Sequence, residues 1–308
     1  MITGNEWFSS RRAAVDRLLR EEYEIAGTCR LLPGEYDLNI RVDTEAASYL
    51  LKIMRPGCDP AFVDMQCRAL AHLAERVPEL PLQRVVSARD GAPTTVLADA
   101  DGERLAWLLT FLPGRVMASV RPHPPALREG IGEALGRLDA ALAGFEHPAL
   151  DRELKWNLCQ AAWILPHLKL IHDPRRRDWL ARIMDRFTDR VAPRLGCLRR
   201  GAIFGDANDY NLLVDYDEQG RQRLSGIVDF GDMCRSVIAG EAAVASAYAM
   251  MGQDRPLEAA AGLIAAYHRV LPLTDEELAL LFPLVLTRLA VSVRSEERRV
   301  GKECRSRW

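Results

Sequence analysis

The order of local patterns along this 308-residue chain predicts an α+β protein, with a small antiparallel-sheet lobe first and a larger, mainly helical lobe after it. Three observations carry that expectation. Up to Leu112, short apolar runs alternate with turn signals: Pro33-Gly34, Asp43-Thr44-Glu45, Asp90-Gly91 and Asp101-Gly102. After Leu112-Pro113-Gly114, helical periodicity takes over, from about 124 to 195 and again from about 237 to 293. Between those two stretches, residues 201–230 read strand–loop–strand–turn–strand.

Each element follows from its residues. Residues 9–22 place Ala13, Ala14, Leu18 and Leu19 on one helical face, which predicts a leading helix. Strands are expected at 24–32, 37–43 and 47–54. Asp59-Pro60 is a helix start, with aspartate as N-cap and proline at the first helical position, so a helix should run from Asp59 to Arg76. Strands near 82–88, 93–98 and 104–112 complete the first lobe. In the second, Pro148, Pro166 and Pro174 interrupt the helical pattern. The glycine series GIGEALG at 130–136 lies inside a helical pattern and follows no strand, so it reads as a helix-packing surface and not as a nucleotide loop. The expected lobes are 1–112 and 113–293, and a cleft between two lobes is a common ligand site.

Residues 294–308, RSEERRVGKECRSRW, break the apolar pattern that runs to Val293. A solvated basic tail is one reading. The string also resembles translated cloning or adapter sequence, and a non-native tail is the preferred expectation.

Composition narrows the function. A formal net charge of −2 argues against a general nucleic-acid binder. No run approaches ~18 uninterrupted apolar residues. The opening MITGNEWFSSRR lacks the apolar stretch of a signal peptide. Seven scattered cysteines without C-x-x-C speak against a disulfide framework or a zinc site. The expectation is a cytoplasmic protein with no nucleic-acid or membrane partner.

Two segments carry chemistry. In IFGDANDYNLLV, at 203–214, an apolar strand end runs into Gly205-Asp206, and Asn211 follows five residues later. Phosphoryl transfer needs a carboxylate to orient the attacking hydroxyl and an oxygen ligand for Mg²⁺, and D-x-x-x-x-N supplies both. In GIVDFGDM, at 226–233, Asp229 ends a second apolar strand, where a carboxylate can bridge Mg²⁺ to nucleotide phosphates. The turn DYDEQGR at 215–221 should fold the strands into a hairpin and bring Asp206, Asn211 and Asp229 to one end of a sheet.

These segments resemble the aminoglycoside phosphotransferase/choline kinase family, whose fold is protein-kinase-like. The family's H-G-D-x-x-x-x-N stands here as F-G-D-A-N-D-Y-N, and its I-D-F-G/D as V-D-F-G. GDANDYN together with LLTFLPG at 108–114 is most similar to the hydroxylysine kinase branch, and the resemblance spans roughly 20–293. It implies a small-molecule kinase that moves the γ-phosphoryl group of ATP or GTP to an alcohol, with Mg²⁺. Asp206 is then catalytic, and Asn211 and Asp229 hold the metal. The best substrate expectation is 5-hydroxy-L-lysine. Homoserine, choline-like alcohols and aminoglycosides are alternatives within the reaction class, and a non-catalytic nucleotide-binding module of a larger protein is the alternative outside it.

The resemblance implies further roles. Lys52, within the apolar SYLLKIMRPG, matches the family's phosphate-binding lysine. Asp64 is the candidate for its partner acid, since Gln66 stands where glutamate is usual. Leu109 and Phe111 belong to the 108–112 segment expected to meet the nucleotide base through its backbone. Phe204 replaces the usual histidine and should pack without donating a hydrogen bond. For the acceptor, Trp156 is expected to cover an ammonium group by cation–π contact, with a core tryptophan as its other reading, and Asp209, Asp232 and Glu241 to attract the ammonium, with helix capping as the other reading of Glu241.

Overall fold

The computed structural model describes residues 4–34, 36–99 and 102–305, without the side chains of residues 4, 5, 99 and 294–305. It divides into two compact units at Pro113/Gly114.

The first unit opens with helix α1 (Gly4–Tyr23) and strands β1 (Thr28–Leu32), β2 (Leu38–Asp43) and β3 (Ser48–Ile53). Helix α2 (Pro60–Arg76) follows, and then β4 (Val85–Val86), β5 (Thr95–Asp99) and β6 (Gly102–Thr110). The sheet is antiparallel throughout, in the order β1-β2-β3-β6-β4, with β5 paired to the start of β6. The leading helix starts earlier than its periodicity suggests. Its buried stripe is Trp7, Val15, Leu18 and Leu19, while Ala13 is exposed. That stripe packs on Ile40, Val42, Leu51, Ile53 and Leu108 of the sheet. Burying side chains of this size stabilises by about 1.5–3 kcal/mol each. The start of α2 is as expected: Asp59 accepts from the Ala61 N–H at 2.9 Å, and Pro60 takes the first helical position.

The second unit begins with β7 (Arg115–Val116) and α3 (Pro125–Ala141). A 3-10 segment, Leu158–Leu170, and helix α4 (Pro174–Arg186) follow. Next come β8 (Arg200–Ile203), β9 (Leu212–Tyr216), β10 (Gln222–Ile227) and β11 (Cys234–Val237). Helices α5 (Ala239–Met250), α6 (Pro256–Val270) and α7 (Asp275–Arg305) close the chain. The backbone of α7 thus continues past Val293. The side chains of 294–308, on which the expectation of a non-native tail rests, lie outside the described residues.

GIGEALG is a packing surface, as its context suggests. A Cβ on Gly132 would collide with the Leu263 carbonyl, and one on Gly136 would stand 3.0 Å from the Tyr267 carbonyl, so the two glycines let α3 and α6 approach closely. Among the described residues no helix is long and apolar enough to cross a membrane. The six described cysteines are all free.

The strands of this unit form two sheets where one was expected. β10, β9 and β7 make a three-stranded sheet, and β8 and β11 make a separate two-stranded sheet. Two very short strands, β7 and β11, escaped the sequence reading, and they decide the pairing. Residues 204–211 therefore leave the β8–β11 ladder and enter the three-stranded sheet, and residues 228–233 make the same crossing in the opposite direction. The two chemistry-bearing segments of the sequence are these two crossings.

Candidate active site

The first crossing is locked by its own side chains. Gly205 adopts φ 72°, a left-handed conformation that glycine enters without a Cβ clash. Asp206 follows it, and the Asn208 N–H donates to the Asp206 carbonyl at 2.7 Å. The Asn208 side chain works in both directions. Its Nδ2 donates to Asp206 Oδ2 at 2.9 Å, and its Oδ1 accepts from the N–H groups of Tyr210 and Asn211 at 2.8 and 3.2 Å. Asn211 Nδ2 donates to the Asp206 carbonyl at 3.1 Å and to Asp206 Oδ2 at 2.8 Å. That leaves Asn211 Oδ1 as the atom with which Asn211 can bind a cation.

Asp206 Oδ1 accepts from Arg288 Nη2 at 2.6 Å. Both carboxylate oxygens are thus oriented by side-chain donors. Burial pushes the Asp206 carboxyl above its ordinary range and the nearby Asp229 adds to this, while Arg288 and Asn208 pull it back down. Phe204 packs as expected: it is fully buried, and its ring lies 4.9 Å from that of Phe230 at 56°, joining the two crossings through an aromatic pair.

The second crossing is tied to the first by the Val228 N–H, which donates to the Asn211 carbonyl at 2.9 Å. Asp229 sits at φ 65°, ψ 78°, where a residue with a Cβ is strained. Arg152 Nη2 bonds the Gly231 carbonyl and pins the turn. Asp232 is partly buried, and burial, reinforced by Asp206 and Asp229, raises its carboxyl to about 7. Three carboxylates thus repel one another across the two crossings, with Arg152 and Arg288 as the cations beside them.

No group of three or more His, Cys, Asp or Glu side chains could by itself hold a metal among the described residues. The candidate donors expected from the sequence are one amide oxygen and one carboxylate, on Asn211 and Asp229. Such a set fits a hard, partly hydrated dication of the Mg²⁺ kind that completes its shell with phosphate and water.

One acceptor-site expectation is corrected. Glu241 lies in the first turn of α5 and is 0% exposed, and its Oε2 accepts from the Gly205 N–H at 2.6 Å. It supports the Asp206 turn from beneath and cannot meet a substrate amine. Burial raises its carboxyl to about 7, against the pull of the Gly205 hydrogen bond. Trp156 does cover a cation, but the cation is Arg288, whose guanidinium carbon stands 4.7 Å from the ring centroid. Asp209 is half-buried, and its carbonyl accepts from the Ala118 N–H at 2.7 Å.

In the first unit, Lys52 is buried on β3, in register with Asn39 and Trp107, with Nζ 5.8 Å from the Trp107 ring centroid. Asp64 accepts from Arg68 Nε at 2.8 Å, one turn along α2. Gln66 is buried, and its Nε2 donates to the Phe62 carbonyl at 3.1 Å. Leu109 is buried between β3 and β4, and the Phe111 N–H donates to the Ser48 carbonyl at 3.0 Å. The Phe111 N–H is therefore engaged within the unit.

Residues 28–281 match the pattern of the phosphotransferase enzyme family, APH. The chain belongs to this family. A hydroxylysine kinase of Mus musculus is 29% identical over 284 residues, which cover 85% of this chain and 75% of the relative. Among solved structures, a microcompartment-associated aminopropanol kinase is similar at a TM-score of 0.70 and 18% identity, covering 92% of this chain and 88% of that one. An amicoumacin kinase in complex with AMP-PNP, Ca²⁺ and Ami is similar at a TM-score of 0.68 and 15% identity, covering 93% of this chain and 87% of that one. The fold is protein-kinase-like, and this APH-family chain is a phosphotransferase with an alcohol group as acceptor. Phe204 fills the position of the family's usual histidine by packing, and Asp206, Asn211 and Asp229 are all present.

Sequence reasoning missed three residues of this site. Asn208 had a signal, since asparagine two residues after a loop aspartate is a common turn former. Arg152 and Arg288 had none, because each reaches the site from a distant part of the chain.

Proposed function

We propose that this chain transfers the γ-phosphoryl group of ATP or GTP to the hydroxyl of a small amino alcohol, with 5-hydroxy-L-lysine as the first candidate. The observation that carries the reading is Asp206, whose two carboxylate oxygens are aimed by Arg288, Asn208 and Asn211. Oδ2 already accepts two hydrogen bonds and Oδ1 one, so Oδ1 is the atom left to accept the hydroxyl proton. The acceptor oxygen bonds to the γ-phosphorus, the bond from that phosphorus to the β–γ bridging oxygen breaks, and the nucleoside diphosphate leaves. The hydroxyl proton passes to Asp206 and on to solvent.

Asn211 Oδ1 and the Asp229 carboxylate hold Mg²⁺ in this reading, and Lys52 binds phosphate. Bound Mg²⁺ supplies neutralisation of phosphate charge. The amine preference rests on Asp232, a partly buried carboxyl raised to about 7 beside two other acids, which a substrate ammonium would relieve. The identity with the mouse hydroxylysine kinase supports the same choice.

A substrate matrix tests it: ATP and GTP with Mg²⁺, each against hydroxylysine, homoserine, choline, ethanolamine and an aminoglycoside. Hydroxylysine should give the highest kcat/KM, and Asp232→Asn should harm it more than an alcohol without a charged amine. Preference for an aminoglycoside, or for an uncharged alcohol, would overturn the assignment.

A further inference from the structure

Arg288 lies on α7, beyond the 28–281 segment that carries the family pattern, and it is 0% exposed. Its guanidinium is clamped on two sides, 4.7 Å from the Trp156 ring centroid and 5.4 Å from that of Tyr248. Nη1 donates to the Trp156 carbonyl at 3.2 Å, and Nη2 donates to the Tyr248 hydroxyl at 3.3 Å and to Asp206 Oδ1 at 2.6 Å. Nε is buried with no partner among the described residues.

Burying a guanidinium is costly, and a buried ion pair adds little net stability compared with apolar packing. An orphaned Nε makes the arrangement poorer still as a structural tie. What the geometry does achieve is orientation. The planar fork approaches Oδ1 from a direction fixed by two aromatic rings and a backbone carbonyl, while Asn208 and Asn211 fix Oδ2. The carboxylate plane is thereby set from both sides.

We propose that Arg288 is a positioning residue of the phosphoryl transfer: it holds Asp206 Oδ1 at the angle from which that oxygen meets the acceptor hydroxyl, and Trp156 and Tyr248 hold Arg288. The inference rests on Asp206 acting as the base. It also gives Trp156 a role different from the cation–π cover of a substrate, since the ring is already occupied by the arginine that orients the base. Arg288 does not touch the nucleotide in this scheme, so its loss should fall on kcat. Lysine is not an equivalent, because one ammonium cannot reproduce a fork that bonds the carboxylate, the Tyr248 hydroxyl and the Trp156 carbonyl together.

The test compares Arg288→Met, Arg288→Lys and Asp206→Asn in the full chain, by steady-state kinetics, nucleotide binding by calorimetry and thermal melting. Arg288→Met should lower kcat by about 10²-fold, the scale of misaligning a reacting group, with the nucleotide KM changed by less than about 3-fold. Arg288→Lys should recover part of that loss. Adding Asp206→Asn to Arg288→Met should cost far less than it does in the wild-type background. If Arg288→Met does not fold, Arg288→Lys decides: a kcat within about 2-fold of wild type overturns the proposal, and a loss of kcat at unchanged nucleotide affinity sustains it. A folded Arg288→Met with wild-type kcat, beside an inactive Asp206→Asn, also overturns it. An active Asp206→Asn would instead remove the base assignment on which the proposal stands.

Discussion

Asp206 and Asp229 each follow an apolar strand, and each lies in a segment that crosses between the same two sheets, but they are held in different ways. Asp206 is oriented through its side chain, by donors on Arg288, Asn208 and Asn211. Asp229 is marked by its backbone, at φ 65°, ψ 78°. The first arrangement fixes where two oxygens point, which suits the proposed role of meeting one proton at one angle. The second fixes where the residue begins at the cost of local strain, which in the proposed reading suits a carboxylate that meets a cation.

The largest expected effect breaks the Asp206 side of this comparison. Asp206→Ala should lower kcat by at least ~10²-fold, the scale of losing a positioned base, while calorimetry finds nucleotide binding retained. Turnover like that of wild type would show that the orientation serves something other than catalysis.

Asp229 offers a sharper separation of strain from function. Asp229→Ala keeps a Cβ in the left-handed region, and Asp229→Gly does not. Both variants should lose metal-dependent nucleotide affinity, but Asp229→Gly should be the more stable of the two by about 1 kcal/mol, as denaturant unfolding can measure. Equal stabilities would mean that the turn carries no strain.

The smallest effect concerns the acid beneath Asp206. The Glu241 carboxyl stands at about 7 in the folded chain against an ordinary 4.5, because burial disfavours its charge. Between those values the folded chain holds a proton that the unfolded chain has lost. The contribution to stability is therefore present in full below pH 4.5 and fades as the pH rises towards about 7. Asp206, Arg288, Asp139 and Tyr267 face the same group and titrate or bear charge near it. Glu241→Gln keeps an oxygen for the Gly205 N–H and removes the proton, so it should flatten the melting temperature between pH 4.5 and 7. An unaltered slope would assign the pH dependence to the neighbouring acids.

The same contrast explains what could be read from the sequence. Asp206, Asn211 and Asp229 were legible because their spacing is local and each follows an apolar strand. The N-cap of α2 and the glycine face of α3 were legible for the same reason. Arg288 was not, because it acts on a residue 82 positions away and nothing in its own helix marks the partner. Glu241 carried a signal that pointed the wrong way. A single acid in the apolar, alanine-rich AGEAAVASAY is more readily a buried supporting group than a substrate contact, since an unpaired acid on such a face has no solvent beside it. β7 and β11, at two and four residues, are too short for periodicity to register, and with them went the division into two sheets.

That division has a mechanical consequence. Since 204–211 and 228–233 span the same gap in opposite directions, the width of the gap acts as a gauge for both, much as one track width serves both rails. The bond from the Val228 N–H to the Asn211 carbonyl is a sleeper between them. A displacement of the β8–β11 ladder would carry the anchors of both rails at once, so the separation of Asp206 and Asp229 would be preserved while their common setting shifted. A substitution at the β8–β11 pairing would thus retune Asp206 and Asp229, the proposed base and metal ligand, as one body.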